Sequence, residues 1–330
     1  MNIVYTVDDK FVPQLATGIY SVCKNNETED ITFYVISKGI SESNKKNLVD
    51  WVASLKQKID IIELDDISNY IDFEFDTSSW NDIVLARLFF DKLLPDSVDK
   101  ILYLDGDTMV RGSLVELWNT DMKEYVLAAA IEPTANKVRK EAIHLNINEP
   151  YYNAGVLLIN MRNWKEVYAG KKVLDFYKKH NGKLFANDQC AINGSLKDYI
   201  LQISISYNFC NTYRFYPYKT LVKITSPTPF IGKDEFEKIK SNPSIIHFLG
   251  EERPWRLGNK HPYTKEYLNY WNSTPWKNSL LEDGWQTYFK AFNLFNSITK
   301  PFPLIRYKII DTLIPVSYTH LRAHETGAYL

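Results

Sequence analysis

Short runs of apolar, often β-branched residues alternate along the chain with stretches in which apolar residues recur every three or four positions. The short runs have the length of buried strands, and the longer stretches have the period of amphipathic helices. This alternation predicts an α/β domain with a largely parallel sheet, in which ligands bind beyond the carboxyl ends of the strands. The predicted strands are Ile3–Thr6, Thr32–Ile36, Ile59–Leu64, Lys100–Leu104, Leu127–Ala130, Val156–Ile159 and Ile245–Phe248.

The segment between the second and third predicted strands has a helical pattern. Leu48, Val52 and Leu55 recur at i, i+4 and i+7, which places them on one face of a helix. Ser41 and Ser43 precede this pattern and are candidates for the N-cap. The sequence therefore predicts a helix that covers one face of the sheet.

The composition of the chain changes after about Trp255. Residues 1–258 form the predicted α/β catalytic domain, and residues 259–315 form an aromatic and basic helical extension. This extension either packs on the main domain or docks at a membrane surface, where aromatic and lysine side chains are favoured. Residues 316–330 match neither neighbour in pattern, and we interpret them as a non-native or disordered tail.

Charge and cysteine usage exclude several classes. Lys and Arg number 39 against 40 Asp and Glu, so the protein lacks the basic excess typical of nucleic-acid binders. Three cysteines without a CxxC pair argue against a disulfide framework or a structural zinc site. Asp8 and Asp9 interrupt a signal-peptide pattern, and no apolar run reaches the roughly 18 residues of a membrane span. We expect a cytoplasmic protein, with peripheral contact at the inner face of the membrane as a further expectation.

The segment Asp105-Gly106-Asp107 is the first candidate for chemistry. It directly follows a predicted buried strand, and in extended chain the two carboxylates point to the same side. Two carboxylates on one side repel each other unless a cation lies between them, and Mg²⁺ or Mn²⁺ bridging to phosphate suits that position. An ordinary Asp-Gly turn explains the same pattern equally well.

The same segment has a second chemical interpretation. A strand followed by Asp-x-Asp-Thr resembles the nucleophile motif of haloacid-dehalogenase-type phosphatases, in which the first Asp attacks phosphorus. That motif usually lies on the first strand of its domain, whereas about a hundred residues precede Asp105 here. A phosphatase using Asp105 and Asp107 is therefore kept as the alternative.

Further candidates follow other predicted strands. His247 ends a strand and can complete a ligand set with the two acids, and Gly250 with Arg253 can hold a diphosphate. His247 also has an ordinary structural explanation, since a single buried histidine is more often part of the core. Polar residues suited to sugar hydroxyls or a uracil ring occur at Asn153, Ala154 and Gly155, at Asp188 and Gln189, and at Asp8 and Phe11.

Five segments in chain order together resemble the retaining glycosyltransferase family 8, which includes lipopolysaccharide galactosyltransferases and glycogenin. They are IVYTVDD, ARLFFDKLLPDSVDKILYLDGDTMV, YYNAGVLLINMRNW, NDQCAIN and HFLGEERPW. The resemblance implies a GT-A fold, which is a Rossmann-like mixed sheet flanked by helices. It also implies a UDP-sugar donor and Mn²⁺ or Mg²⁺ as cofactor.

The resemblance assigns a role to each matching position. Asp105, Asp107 and His247 match the family's metal ligands, and Gln189 matches the residue facing the reacting anomeric carbon, with Asp188 beside it. The remaining donor-binding positions are Asp8, Phe11, Arg87, Asn153, Ala154, Gly155, Gly250 and Arg253.

The function implied by this resemblance is transfer of glucose or galactose from a UDP-sugar to a glycan, glycolipid or glycoprotein, with retention of configuration. We expect UDP-glucose or UDP-galactose and a carbohydrate-bearing acceptor as partners, and no nucleic acid. Cell-surface polysaccharide biosynthesis is the expected process. A non-catalytic nucleotide-sugar binder is the remaining alternative.

Overall fold

The computed structural model describes residues 1–77 and 81–320. Its centre is a seven-stranded sheet in the order β3-β2-β1-β4-β7-β6-β8. β1, β2, β3 and β4 run parallel, β7 is antiparallel to both β4 and β6, and β8 is parallel to β6. These strands are β1 (Asn2–Asp8), β2 (Thr32–Lys38), β3 (Lys58–Glu63), β4 (Lys100–Leu104), β6 (Leu127–Ile131), β7 (Tyr152–Asn160) and β8 (Ile200–Ile203).

A second sheet of three short strands lies beyond the carboxyl end of β4. Its order is β5-β10-β9, with β5 at Thr108–Val110, β9 at Phe209–Cys210 and β10 at Ile245–His247. β10 pairs antiparallel with β5, and His247 lies opposite Thr108. The end of β10 is thereby brought beside the turn that follows β4.

Fourteen α-helices are assigned within the described residues. Five 3-10 helices accompany them, at Asp9–Phe11, Ile67–Asn69, Asp82–Phe89, Lys197–Tyr199 and Ile205–Asn208. The α-helices are α1 (Val12–Asn25), α2 (Glu42–Ser54), α3 (Phe90–Leu93), α4 (Val115–Trp118), α5 (Lys137–Glu141), α6 (Met161–Glu166), α7 (Ala169–Lys179), α8 (Asn187–Leu196), α9 (Asn211–Phe215), α10 (Tyr218–Thr225), α11 (Lys233–Ser241), α12 (Thr264–Trp271), α13 (Gln286–Thr299) and α14 (Pro303–His320).

Both faces of the large sheet are covered. Within β4, Leu102 and Leu104 belong to one buried cluster, whereas Ile101 and Tyr103 belong to the cluster on the other face. Successive side chains of a strand point to opposite faces, so a strand buried on both sides is an uninterrupted apolar run. This explains why the central strands were recognisable from sequence.

The structure confirms the seven predicted strands and the predicted helix. Ser41 caps α2, because its hydroxyl accepts from the backbone N–H of Asn44. The large sheet is mainly parallel, as expected, and β7 in its middle is the one strand that runs antiparallel to its neighbours. Three strands were missed, at β5, β8 and β9; they have two to four residues each, too few for a periodic pattern.

The C-terminal extension is helical and contacts the main domain. Tyr267, Trp271 and Trp276 belong to the same buried cluster as β1 and α1. Further along, the buried guanidinium of Arg306 donates to the Tyr216 hydroxyl at 2.8 Å and lies over the ring of Phe215. Among the described residues, no helix is long and apolar enough to cross a membrane. Residues 321–330 of the interpreted tail lie outside the described part of the chain.

Candidate active site

The turn after β4 carries the two predicted carboxylates. Its backbone is closed by Thr108, whose N–H and hydroxyl both donate to the carbonyl oxygen of Asp105, at 3.1 and 2.7 Å. The extended conformation expected from the sequence is therefore wrong for this segment. A side chain at Gly106 would come within 2.8 Å of the Phe11 ring, so the turn requires glycine at this position.

His247 lies directly opposite these carboxylates. Its Nε2 is 3.1 Å from Oδ1 of Asp107 and 3.6 Å from Oδ2 of Asp105. One ligand atom from each of the three residues lies within 4.8 Å of the others. Neighbouring ligands of an octahedral ion with bonds of about 2.1 Å are about 3 Å apart, so the spacing fits a small divalent cation. Nε2 is buried and points at the two carboxylates, so a cation held by them would also meet this nitrogen.

The electrostatics of this cluster indicate strong mutual attraction. Burial opposes ionisation of Asp107, but His247 and Arg253 outweigh burial and lower the pKa of the Asp107 carboxyl. Burial alone would lower the pKa of His247, yet the carboxylates of Asp107 and Asp105 raise it. The three groups therefore favour positive charge between them, as a divalent ion would supply.

Gly155 allows the cluster to assemble. It lies in β7 beside β4, and its carbonyl accepts from the N–H of Asp105 at 2.8 Å. A Cβ at this position would be 2.2 Å from Cε1 of His247 and 2.7 Å from Oδ2 of Asp105. Only glycine leaves room for both ligands, which gives this predicted site residue a steric role.

Arg87 pairs with the Asp105 carboxylate through the oxygen that does not face His247. Its guanidinium is buried and pairs at 3.0 Å with both Asp105 and Asp188. It also donates to the carbonyl of Ala154 at 2.8 Å and lies over the ring of Tyr103. Burial disfavours its charge, but the two carboxylates prevail and raise the pKa of Arg87.

Asp188 lies in the first turn of α8 and is buried. An aspartate at the start of a helix is often its N-cap, but the cap position of α8 is Ala186. Burial raises the pKa of Asp188 to about 6, although Arg87 acts in the opposite direction. A desolvated carboxylate of this kind is typical of functional sites rather than of helix caps.

The side-chain amides of Gln189, in α8, and Asn153, in β7, are both hydrogen-bonded to the backbone of β7. The side-chain oxygen of Gln189 accepts from the N–H of Ala154 at 2.9 Å, and its nitrogen donates to the hydroxyl of Tyr151 at 3.2 Å. Asn153 accepts from the N–H of Gly155 at 2.9 Å and donates to Glu132 at 3.2 Å. Both amides are thus oriented by the backbone of one strand, which fixes their positions before any ligand binds.

Glu132 and Asn208 are site residues that the sequence analysis missed. Glu132 directly follows β6, so the rule that ligands lie beyond the carboxyl ends of strands could have identified it. Asn208 bonds both Asn153 and His247. No local pattern distinguishes it from the other asparagines of the chain.

The loop after β10 carries Gly250 and Arg253. Gly250 has a φ of +83°, which favours glycine, and a Cβ there would meet no described atom within 4 Å. Arg253 reaches Asp107 at 3.5 Å, and its buried Nε has no hydrogen-bond partner within the described ranges. An open loop with an unused guanidinium donor beside the cation cluster suits a phosphate group.

The structure places Asp8 and Phe11 at the carboxyl end of β1. The Asp8 carboxylate accepts from the N–H of Phe11 at 3.1 Å and from the Asn81 side chain at 3.0 Å. Phe11 contacts the Trp255 ring edge to face, with centroids 5.5 Å apart. Phe11 also contacts the Gly106 turn, so these two residues adjoin the cation cluster.

Comparison with known proteins matches the chain to one family model and to curated relatives. A family model described as "Glycosyl transferase family 8" matches residues 2–257. General stress protein A of Bacillus subtilis (strain 168) is 28% identical over 280 residues, covering 84% of this chain and 94% of that protein. Lipopolysaccharide 1,2-glucosyltransferase of Escherichia coli (strain K12) is 22% identical over 286 residues, covering 86% of this chain and 81% of that protein.

A solved structure shows the same fold. The crystal structure of galactosyltransferase LgtC in complex with donor and acceptor sugar analogues superposes with a TM-score of 0.73 at 24% identity. It covers 85% of this chain and 100% of that chain. The predicted GT-A fold is confirmed by this likeness.

Replacing Gly155 by alanine tests the steric basis of the cluster. We expect Gly155→Ala to displace His247 or Asp105 and to weaken Mn²⁺ binding by at least about tenfold, because one ligand is lost or moved. Titration of Mn²⁺ followed by electron paramagnetic resonance measures this. Gly232→Ala is the control, since a Cβ at Gly232 would meet nothing described within 4 Å. Unchanged Mn²⁺ affinity in Gly155→Ala would contradict the assigned ligand set.

Replacing Asp188 by asparagine tests the raised pKa. The folded protein holds the Asp188 proton more tightly than the unfolded chain, because its pKa is about 6 rather than near 4. Wild-type stability from this group is therefore present below about pH 4 and is lost as the pH rises through 6. We expect the free energy of unfolding of Asp188→Asn, relative to wild type, to increase by up to about 3 kcal/mol from pH 4 to 7.

The measurement is chemical unfolding of both proteins across that pH range in the presence of chelator. Asp121→Asn, which changes an exposed acid, is the control and should follow the wild-type curve. A difference between Asp188→Asn and wild type that does not change with pH would mean that Asp188 has an ordinary pKa.

Proposed function

Because this chain belongs to glycosyltransferase family 8, we propose that it moves a hexose, glucose or galactose, from a UDP-sugar to a carbohydrate-bearing acceptor with Mn²⁺ or Mg²⁺ as cofactor. The observation that carries the proposal is the cluster of Asp105, Asp107 and His247, whose ligand atoms lie within 4.8 Å of one another. It is supported by Arg253, which lies beside this cluster with an unused buried nitrogen.

The leaving group sets the demands on one side of the site. Breaking the glycosidic bond places negative charge on the diphosphate of UDP, and stabilisation of that charge accelerates the reaction. Asp105, Asp107 and His247 would hold a divalent ion, which would supply Lewis-acid stabilisation of the developing charge. Arg253 adds a fixed positive charge, and the open backbone at Gly250 admits the phosphates.

The reacting sugar sets the demands on the other side. Positive charge develops on the ring as the bond breaks, and a nearby carboxylate or amide oxygen stabilises it. Asp188 and Gln189 are the proposed groups, with Arg87 fixing the Asp188 carboxylate at 3.0 Å. Because an amide is a poor nucleophile, we favour attack by the acceptor from the front face. A trapped covalent glycosyl-enzyme adduct would contradict this mechanism.

The phosphatase alternative is not favoured. A nucleophilic Asp105 would need a free carboxylate oxygen, but Oδ1 accepts from Tyr103 at 2.6 Å and pairs with Arg87 at 3.0 Å. The other oxygen faces His247. The non-catalytic alternative does not account for the buried Asp188 carboxylate, which pairs with Arg87 at 3.0 Å inside the site.

Donor hydrolysis tests the proposed function. We expect slow release of UDP from one member of a panel of UDP-sugars, sensitive to chelator and restored by Mn²⁺. Asp107→Asn should lower this rate by at least about 100-fold, because one charged ligand of the cation is lost. Asp121→Asn changes an exposed acid outside the ligand cluster, serves as the control and should keep the wild-type rate.

Three other outcomes would contradict parts of the proposal. Phosphatase activity in the same sample would support the alternative use of Asp105. UDP-sugar binding without turnover in the presence of varied glycan acceptors would support the non-catalytic alternative. Full activity in chelator would exclude the cation.

The C-terminal helices support a second element of the proposal, peripheral contact with an anionic membrane surface. Ile298, Phe302 and Ile305 are exposed at 64, 59 and 54%. Around Phe302 and Ile305 lies a shallow groove of about 320 Å³ that Lys219 and Lys223 also line. Exposed apolar side chains next to lysines bind the boundary between lipid headgroups and acyl chains. This position would bring the enzyme to a lipid-linked or cell-surface acceptor.

Vesicle binding tests this element. We expect the double change Phe302→Ser and Ile305→Ser to weaken binding to vesicles rich in anionic phospholipid by about tenfold, because two inserted side chains are lost. Co-sedimentation at low and high salt measures it. Leu280→Ser is the matched control, since Leu280 is 95% exposed but does not line this groove. Equal binding of the wild type and the double variant to these vesicles would contradict the proposed membrane contact.

A further inference from the structure

Asn208 is a buried residue whose side chain joins two parts of the active site. It ends the 3-10 helix Ile205–Asn208 and is 2% exposed. Its Oδ1 is 2.8 Å from Nδ1 of His247, and its Nδ2 donates to Oδ1 of Asn153 at 2.7 Å. The residue therefore bridges the proposed cation ligand His247 and Asn153 on β7.

The orientation of these amides follows from an unambiguous donor. The backbone N–H of Gly155 can only donate, so the Asn153 atom 2.9 Å from it is the acceptor Oδ1. The Asn208 atom that bonds the same oxygen must then be its donor Nδ2. At the far end the assignment is consistent, because Asn153 Nδ2 meets a Glu132 carboxylate oxygen at 3.2 Å.

This chain of bonds determines which nitrogen of His247 carries a proton. Since Nδ2 of Asn208 is committed to Asn153, only its Oδ1 can face His247, and an oxygen accepts. Nδ1 of His247 must therefore carry the hydrogen. In the neutral ring the lone pair is then on Nε2, which points at Asp105 and Asp107 from 3.6 and 3.1 Å.

We propose that Asn208 is a positioning residue that holds His247 with Nδ1 protonated and Nε2 presented to the cation, and that it ties this ligand to Asn153. The proposal rests on the proposed function for the identity of the cation. Partners of this kind fix the tautomer and ring orientation of a metal-bound histidine, and their loss weakens metal binding. A purely structural asparagine would stabilise the fold without changing metal affinity.

Two substitutions separate these roles. Asn208→Leu removes both the acceptor for His247 and the donor for Asn153. Asn208→Asp keeps an acceptor for the Nδ1 hydrogen but places a second acceptor against Oδ1 of Asn153. If Asn208 acts as proposed, the aspartate variant retains cation binding and loses the link to Asn153, whereas the leucine variant loses both.

The test is direct titration of Mn²⁺ into the full-length protein with UDP present, read by electron paramagnetic resonance, with thermal unfolding in chelator alongside. We expect Asn208→Leu to weaken Mn²⁺ binding by about 10- to 100-fold and Asn208→Asp to stay within about threefold of wild type. Asn26→Ala is the matched control. Asn26 is a buried asparagine whose side chain bonds Leu114 N–H and Val22 carbonyl, so it should lose stability but not Mn²⁺ affinity.

The outcomes distinguish this inference from the proposed function. Wild-type Mn²⁺ affinity in a folded Asn208→Leu overturns the positioning role alone, and so does equal loss in both Asn208 variants. Absence of Mn²⁺ binding by the wild type overturns the proposed function as well. If Asn208→Leu does not fold, the ¹⁵N shifts of His247 in the Mg²⁺–UDP complex decide the question. A protonated Nδ1 supports the inference, and a protonated Nε2 overturns it.

Discussion

Two carboxylates and an imidazole meet in a buried cleft, and the arrangement of the protein around them depends on how their charge is compensated. Unpaired buried charge is costly, so each carboxylate needs a fixed positive partner. Arg87 pairs with Asp105 from one side, and Arg253 reaches Asp107 from the other. His247 faces both carboxylates, and the proposed divalent ion would supply the remaining positive charge between the three groups.

The two sheets meet at the carboxyl end of β4, and this brings the three charged side chains together. The large sheet delivers Asp105 from β4 and Gly155 from β7, and the small sheet delivers His247 from β10. Glycine at position 155 is required because a Cβ would come within 2.2 Å of the histidine ring. The antiparallel placement of β7 in the middle of the sheet is what brings its amino-terminal residues, Asn153 among them, to the carboxyl edge of β4.

A network of amides continues outward from the cluster. Asn208 bonds His247 and Asn153, and Asn153 bonds Glu132 at the end of β6. Gln189 is fixed by the backbone of the same strand. Because these groups are oriented by main-chain donors, the site is organised before substrate arrives, and pre-organised dipoles cost little reorganisation during reaction. In the same site, burial of the Asp188 carboxylate raises its pKa and lowers the free energy of unfolding at neutral pH.

The sequence by itself determined seven of the ten described strands, the α2 helix and its Ser41 cap, and the acids that follow β4, because these depend on local periodicity and on neighbouring residues. Its five ordered motifs also identified the family. Only the tertiary structure decided the antiparallel β7, the turn at Gly106 and the role of Asn208. Asn208 contacts residues 39 and 55 positions away, and such contacts leave no local pattern. The direction of a hydrogen bond between two side-chain amides is likewise fixed only by the third group that each one meets.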